Sequence, residues 1–352
     1  MIKKTTLLFL ILFLVKGLTA QDKHFTQFYA SPLTLNPALT GGFDGKFRVG
    51  GVYRDQWRGA LEQPFTTFAG SLEISFPLQL FSNVYKDRAA VGLLFYTDDI
   101  NGIDFTTNQM AVSGAFHKSL DIESRQFFTI GFQMGLGNRS INYENLIFED
   151  QFNGVDGYTL GTDEDLPENN FSFSDFSVGV NYTISPRKGL SIFAGAALHH
   201  IFEPEFSFYA REGNDFNEPE SSKIYQKYSG QFSAQIQIAD KLQLLPRFLF
   251  ALQGPHLEMN AGTNFRYLLN DYNSTAVHFG AWVRPVTNED NGFFVDALVL
   301  MAGIEYNNIL VGLSYDANLS DFSVNGQTRG AIEVSVAYLG NYENETVLCP
   351  KF

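Results

Sequence analysis

Apolar and polar side chains alternate with a period of two residues along most of the chain. The clearest example lies at 228–238, where Phe232 and Ala234 alternate with Ser233 and Gln235. Successive side chains of a β-strand point to opposite faces, so this pattern predicts strands with one apolar face and one polar face. After the first twenty residues, no stretch has 18 consecutive apolar residues, and the sequence therefore predicts no transmembrane helix.

Fourteen segments fit the strand pattern, and most of them are 11–15 residues long. Strands of soluble proteins usually have about 5–6 residues, whereas a tilted strand that crosses a membrane needs about 9–11. In lipid every backbone N–H and C=O must be paired within the protein, which only a closed sheet achieves with strands. We therefore predict an all-β fold, a transmembrane antiparallel β-barrel of about 14 strands. The predicted strands are 46–58, 65–77, 88–98, 105–118, 126–138, 171–184, 189–202, 223–238, 240–253, 256–269, 274–286, 293–304, 308–318 and 328–339.

The connections between these segments alternate in length. The two longest, 139–170 and 203–222, follow odd-numbered strands, whereas the short turns 185–188 and 270–273 follow even-numbered strands. Outer-membrane barrels have long external loops and short periplasmic turns, so this alternation predicts periplasmic termini. Two connections depart from the pattern, because 78–87 is long for a periplasmic turn and the connection after the ninth strand is short for an external loop.

The first twenty residues are typical of a secretory signal peptide. Lys3 and Lys4 precede a short apolar run from Leu7 to Val15, and small residues lead to a cleavage point after Ala20. An uncleaved membrane anchor is the alternative, although the run is too short to span a bilayer. The expected organisation is a signal peptide at 1–20, an N-terminal plug or periplasmic segment at 21–45, the barrel at 46–339 and a periplasmic tail at 340–352.

Composition and charge narrow the classes of function. The chain has 38 acidic and 24 basic residues, for a net charge of −14, and only 18% of its residues are charged. Nucleic-acid binding leaves a basic footprint, so we exclude nucleic acid as a partner. Much of the excess acid lies in the connections 139–170 and 203–222, which are either solvated loops or a weak cation site. They lack the Asp-x-Asp-x-Asp-Gly order of a calcium loop.

Residues suited to catalysis or metal binding do not form a motif in this sequence. The six histidines have no His-Glu-x-x-His spacing, and the single cysteine, Cys349, has no partner for an internal disulfide. His199 and His200 are consecutive, so we expect them on opposite faces of a strand. Nucleophile elbows, P-loops and dinucleotide-binding glycine patterns are also missing. The sequence therefore predicts no enzyme activity, no metal site and no cofactor.

Charged residues share the polar faces of the first, second, thirteenth and fourteenth predicted strands. In a closed barrel the first and last strands pair, so these four strands are neighbours. A charge that faces lipid is costly, so these side chains should point into the lumen. We predict that they form a network that fills and stiffens the lumen. Its members are Arg48, Arg54, Glu73, Asp316, Arg329 and Glu333.

The segment before the first predicted strand carries a distinctive motif. Gln27-Phe28, Pro32 and Asn36-Pro37-Ala38-x-x-Gly41 precede Tyr53-Arg-Asp-Gln-Trp57 on the strand itself. Together with Gly312-Leu-Ser-Tyr-Asp316, the Arg-Gly-Ala-x-Glu of 329–333 and the closing Cys-Pro-Lys-Phe, this order resembles the PorP/SprF family. That family consists of outer-membrane proteins of the type IX secretion system of Bacteroidetes. The motif residues that we single out as partner contacts are Phe25, Gln27, Phe28, Asn36, Pro37, Tyr53, Gln56 and Trp57.

The resemblance implies a barrel that does not itself export the substrate. Family members assist the secretion or surface attachment of particular cargo proteins, often large adhesins of gliding motility, and some are linked to periplasmic secretion components. The implied partners are outer-membrane lipid, a secreted cargo protein and periplasmic type IX components. The resemblance carries over no catalytic or cofactor-binding residue.

Two terminal segments have competing interpretations. The segment 21–45 has aromatic residues beside Pro32 and Pro37, which disfavour a regular strand, so it is either a plug inside the barrel or a periplasmic contact surface. The tail 340–352, which contains Cys349, is either a docking element or an end that folds back. Two alternative functions also remain at this point: an outer-membrane channel for hydrophobic small molecules, and a soluble secreted all-β binding protein.

Overall fold

A computed structural model describes residues 24–58, 63–78, 86–208, 223–270, 274–287, 293–319 and 330–340. These residues contain fourteen strands in one closed antiparallel sheet. The predicted signal peptide, Arg329 and the tail beyond Gly340 lie outside the described residues. The strands are β1 (Phe47–Gln56), β2 (Phe65–Pro77), β3 (Arg88–Ile100), β4 (Phe105–Ser119), β5 (Gln126–Ile141), β6 (Asn170–Arg187), β7 (Leu190–His199), β8 (Lys227–Ala239), β9 (Leu242–Gln253), β10 (His256–Asn270), β11 (Thr275–Thr287), β12 (Phe293–Tyr306), β13 (Ile309–Asn318) and β14 (Ala331–Gly340).

Each strand pairs with its neighbours along the chain, and β1 pairs with β14 to close the barrel. Phe47 lies opposite Gly340, and Gln56 lies opposite Ala331. The prediction of a 14-strand antiparallel barrel is therefore confirmed, and each predicted segment coincides with one strand. Because the number of strands is even, β1 begins and β14 ends at the same end of the barrel, which we call the terminal end. The opposite end, the loop end, carries the long connections 142–169 and 200–226.

The wall has an apolar outer face and a polar inner face. On β2, the outward Leu72 is 40% exposed while the adjacent inward Glu73 is fully buried. Ile130 and Leu300 are likewise more than half exposed on the outer face. Apolar side chains on the outside of a membrane barrel contact lipid, so their exposure here carries no cost. Among the described residues, no helix is both long enough and apolar enough to cross a membrane.

The ends of β6 and β7 differ from the predicted boundaries. β6 is longer than expected, whereas β7 ends at His199 because His200 adopts a left-handed backbone conformation with φ of 56°. This turn brings both histidine side chains into the buried interior, with ring centroids 6.4 Å apart. The expectation that they face opposite sides of a strand is therefore wrong. His200 Nδ1 instead lies 3.0 Å from a carboxylate oxygen of Asp175.

The N-terminal segment lies inside the barrel. Residues 24–45, called the plug from here on, contain 3-10 turns at Phe28–Ala30 and Pro37–Leu39 and a single-turn helix α1 (Pro32–Leu35). Pro32 and Pro37 each begin one of these helical turns, a position where the missing N–H has no intrahelical partner to lose.

Apolar side chains of the plug pack against the inner wall in three clusters. Phe25 and Leu33 contact Val52, Leu94 and Tyr96 of β1 and β3. A second cluster, on the other side of the plug, contains Phe28, Leu35, Leu39 and Leu249. In the third cluster, Tyr29 of the plug packs against Trp282, Val299 and Met301 of the wall. The core of this protein therefore lies between the plug and the wall.

Candidate functional site

The first turn of the plug is held by the carboxylate of Glu333 on β14. The backbone N–H groups of Thr26 and Gln27 donate to its two oxygens at 2.6 and 2.8 Å. Arg54 Nη1 of β1 donates to the same group at 2.5 Å. Glu333 is fully buried, so these charge-assisted hydrogen bonds form away from solvent. One side chain thus joins the plug, β1 and β14.

Asp316 on β13, the strand next to β14, extends this cluster along the inner wall. The Thr26 hydroxyl donates to Asp316 Oδ2 at 2.7 Å. Nη1 of Arg54 and Nη1 of Arg284 donate to the same oxygen at 3.2 and 2.9 Å. Arg284, on β11, also pairs with Asp296 at 2.9 Å. We call Arg54, Arg284, Asp316 and Glu333 the Glu333 cluster. Arg284 is not among the charged residues predicted for the lumen, although the alternation of β11 places it on the inward face.

Arg48 and Glu73 form a second cluster nearer the terminal end. Arg48 Nε and Nη2 donate to the two oxygens of Glu73 at 2.8 and 3.0 Å. The N–H of Gly41 donates to Glu73 Oε2 at 2.9 Å, so this pair, the Glu73 cluster, holds the end of the plug. Arg48 and Arg54 are six residues apart on one strand, a distance of about 20 Å. The single network predicted from the sequence is therefore two separate clusters.

The Asn36-Pro37-Ala38 motif packs closely against the inner face of β5, β6 and β7. Asn36 Nδ2 donates to the carbonyl oxygens of Val180 and Ala196 at 3.1 and 3.2 Å, while its Oδ1 accepts from the N–H of Ala38. The wall makes room with glycine: a Cβ at Gly179 would lie 1.9 Å from Asn36 Oδ1. A Cβ at Gly131 would lie 2.3 Å from Ala38 N. Only glycine allows so close an approach of the two backbones.

Histidines bind the plug through its backbone. His117 Nε2 lies 2.8 Å from the carbonyl oxygen of Thr40, and His199 Nε2 lies 3.2 Å from that of Leu35. A carbonyl oxygen only accepts hydrogen bonds, so each of these ring nitrogens is the donor. His24, at the start of the plug, has its Nδ1 3.9 Å from Oε2 of Glu258 on β10.

The motif residues predicted as partner contacts separate into two groups. The five on the plug are buried, and they contact the barrel interior because the plug lies inside it. These five are Phe25, Gln27, Phe28, Asn36 and Pro37. The other three lie on or after β1, where Tyr53 faces outward at 42% exposure. Gln56 accepts from Arg54 Nε at 3.4 Å, and Trp57 packs edge-on against Phe65.

The site as a whole is a set of clamps for a peptide segment. Buried carboxylates accept hydrogen bonds from backbone amides at both ends of the plug. The arginines paired with these carboxylates compensate the carboxylate charge. In the part of the chain that the structure describes, no group of three or more His, Cys, Asp or Glu side chains is arranged to hold a metal ion. The chemistry of this arrangement is the immobilisation of a segment in the lumen.

Comparison with known proteins identifies a family. A family model described as "Type IX secretion system membrane protein PorP/SprF" matches residues 18–338, nearly the whole chain. A search of curated protein sequences found no match. The match agrees with the resemblance noted in the sequence, where the order of motifs pointed to the same family.

Solved structures with a similar fold are outer-membrane barrels. A deletion mutant of the monoaromatic hydrocarbon channel TodX has a TM-score of 0.52 at 11% identity, and the match covers 89% of this chain and 94% of that chain. The toluene transporter TodX of Pseudomonas putida has a TM-score of 0.48 at 12% identity, covering 93% and 100% of the two chains. At this identity the likeness shows the fold alone. Fold and family together place the chain in the outer membrane, so the alternative of a soluble secreted protein is wrong.

Proposed function

Because the chain belongs to the PorP/SprF family of type IX secretion system membrane proteins, we propose that it is an accessory barrel of that system. In this role it assists the secretion or surface anchoring of a specific cargo protein and contacts periplasmic secretion components. Adhesins of gliding motility are the cargo class that fits the family resemblance. The barrel itself is not the conduit for the cargo.

The observation that carries this proposal is the clamped plug. The Glu333 cluster binds Thr26 and Gln27, the wall carbonyls bind Asn36, and the Glu73 cluster binds Gly41. Three anchor points along one short segment keep it in the lumen, where it takes the space that a translocating chain would need. A barrel with a fixed plug is suited to binding other proteins at its two ends.

A gene deletion with quantitative proteomics of the secreted and surface-bound fractions tests the proposal. We expect a small set of type IX substrates to be lost from the surface while the remaining type IX secretome is unchanged. A wild-type copy should restore the lost set. If every type IX substrate were retained, or if all of them were lost equally, the role of a cargo-specific accessory would be wrong.

A channel for hydrophobic small molecules is the competing function, and the similarity of fold to TodX is its support. The clamped plug argues against it, since a passage would require the plug to move. Uptake of a radiolabelled aromatic hydrocarbon by the deletion strain separates the two functions. Uptake that falls with the deletion, alongside an unchanged secretome, would favour the channel.

A further inference from the structure

Arg247 differs from the other buried arginines of the barrel. Four arginines are buried in the described part of the chain, and three of them, Arg48, Arg54 and Arg284, bind carboxylates. Arg247 on β9 is 8% exposed, and its guanidinium donates to Asn264 Oδ1 at 2.6 Å. No carboxylate of the described residues lies within 4 Å of it. A positive charge is therefore buried here without a negative partner.

An aromatic ring compensates this charge only in part. The Arg247 guanidinium lies 3.8 Å from the ring centre of Tyr29, which in turn stacks on Trp282 with 5.9 Å between the rings. A ring face attracts a cation more weakly than a buried carboxylate does. A guanidinium has five N–H groups, and the single bond to Asn264 leaves most of them for another acceptor. Burial of a charge without a full partner is costly, so such a site favours an anion.

A narrow cavity of about 70 Å³ gives a ligand access to this charge. Arg247 and Tyr29 line the cavity on the plug side, and it extends toward the terminal end past Leu245, Leu310 and Leu339. A single water needs about 10–15 Å³ of such space, so the cavity has room for a head group or a thin chain but not for a folded domain. Gln235, Gln243 and Asn308 also line the cavity, but most of its exposed wall area is apolar. Its walls thus combine one uncompensated cation with a largely apolar path.

We propose that this cavity is a binding site for an amphiphilic anion. A carboxylate or phosphate group accepts hydrogen bonds from Arg247, and its aliphatic chain lies along the apolar path toward the terminal end. The neighbouring arginines on this wall are already paired, because Arg266 binds Glu305 at 2.6 Å and Arg48 binds Glu73. They therefore do not compete with Arg247 for the ligand. This binding function goes beyond the proposed secretion role and does not depend on it.

Tryptophan fluorescence of the purified full chain in a non-ionic detergent tests the proposal. The chain has two tryptophans, so a Trp57→Phe background leaves Trp282, in the stack beside Arg247, as the only reporter. The ligands are dodecanoate, dodecyl phosphate and, as an uncharged match, dodecanol. We expect at least one anion to change the emission saturably, at a concentration at least tenfold below that of dodecanol. The anion that binds more tightly indicates whether a carboxylate or a phosphate is the natural head group. If dodecanol bound as tightly as the anions, or if neither anion bound, the proposed site would be wrong.

Variants of Arg247 separate loss of the ligand from loss of the fold. Arg247→Gln should weaken binding of the preferred anion at least tenfold, whereas Arg58→Gln, an exposed arginine at the loop end, should leave it unchanged. Without ligand, Arg247→Gln should unfold at the same or a higher temperature than the parent, because it removes an uncompensated charge. Arg48→Gln should lower that temperature, since it leaves Glu73 unpaired. Unchanged anion binding in Arg247→Gln, or a loss of stability equal to that of Arg48→Gln, would contradict the proposal.

Discussion

Single carboxylates connect the wall of this barrel to its plug. Glu333 accepts two plug amides while pairing with Arg54, and Glu73 accepts the N–H of Gly41 while pairing with Arg48. A buried ion pair adds little to stability compared with apolar packing, but the loss of one partner is costly. We infer that these pairs specify where the plug lies.

Replacement of Glu333 by glutamine should destabilise the folded barrel by about 3–5 kcal/mol, because it leaves Arg54 without its closest carboxylate. Denaturant unfolding in detergent measures the change, with the folded fraction monitored by the heat-modifiable migration of the protein in gel electrophoresis. Glu123→Gln is the matched control, since Glu123 forms an exposed pair with Arg125 and should cost about 0–1 kcal/mol. Equal effects of the two substitutions would show that the buried pair has no special role.

The inward direction of these residues was predictable, but their partners were not. Alternation along β1 and β14 places Arg54 and Glu333 on the polar face, and closure of the barrel makes those strands neighbours. Arg284 was not predicted, because β11 is not adjacent to β1. Strand adjacency alone does not show that Arg284 and Arg54 both reach Asp316. The plug amides were missed for the same reason, since sequence periodicity carries no information about what fills the lumen.

At the scale of the elements, every strand separates lipid from lumen by the same alternation. On β4, Val112 is 58% exposed on the outer face, whereas Ser113 is buried on the inner face. This two-residue period made all fourteen strands predictable. The exceptions are strand ends such as that of β7, where the left-handed conformation of His200 ends the strand before the predicted boundary.

Val112→Arg should destabilise the barrel by about 2–4 kcal/mol, because Val112 lies midway along β4 and an arginine there would face the hydrocarbon core. Val155→Arg provides the control, as Val155 is 84% exposed in the connection between β5 and β6 at the loop end. Folding yield and unfolding in lipid vesicles measure both. Tolerance of arginine at residue 112 would mean that this face does not contact lipid.

The position of the plug depends on glycines in the wall. Gly179→Leu should displace the Asn36 motif, because even a Cβ at this position would overlap Asn36 Oδ1. The readout is maleimide labelling of Ala38→Cys in a Cys349→Ser background, since Ala38 is 1% exposed. Labelling should be slow in the parent and at least tenfold faster in the Gly179→Leu variant.

The control for this labelling experiment is Gly102→Leu, where a Cβ meets no atom within 4 Å. It should leave the labelling rate of residue 38 unchanged. Rapid labelling in the parent would mean that the plug leaves the lumen without any substitution, and slow labelling in Gly179→Leu would mean that the plug does not need this glycine.

For the molecule as a whole, the number of strands leaves an interior space that the plug fills. Barrels of about eight strands are filled by their own side chains, whereas those of about 16–18 strands leave an aqueous channel. Fourteen strands lie closer to the second case, so the wall alone would leave a passage. The plug occupies that space with a buried apolar core, which includes Phe25 and Leu33 against β1 and β3.

Planar-bilayer recordings test whether this packing closes the lumen. The wild-type barrel should show no steady conductance, because the plug is clamped at Thr26 and at Gly41 by buried carboxylates. A variant that lacks residues 24–41 should conduct, and the double substitution Glu73→Gln and Glu333→Gln should conduct intermittently, since it weakens both clamps but keeps the plug. The double variant keeps the test valid if the deletion does not fold. A wild-type conductance equal to that of the deletion variant would mean that the lumen is open, and it would remove the argument that cargo must cross the membrane elsewhere.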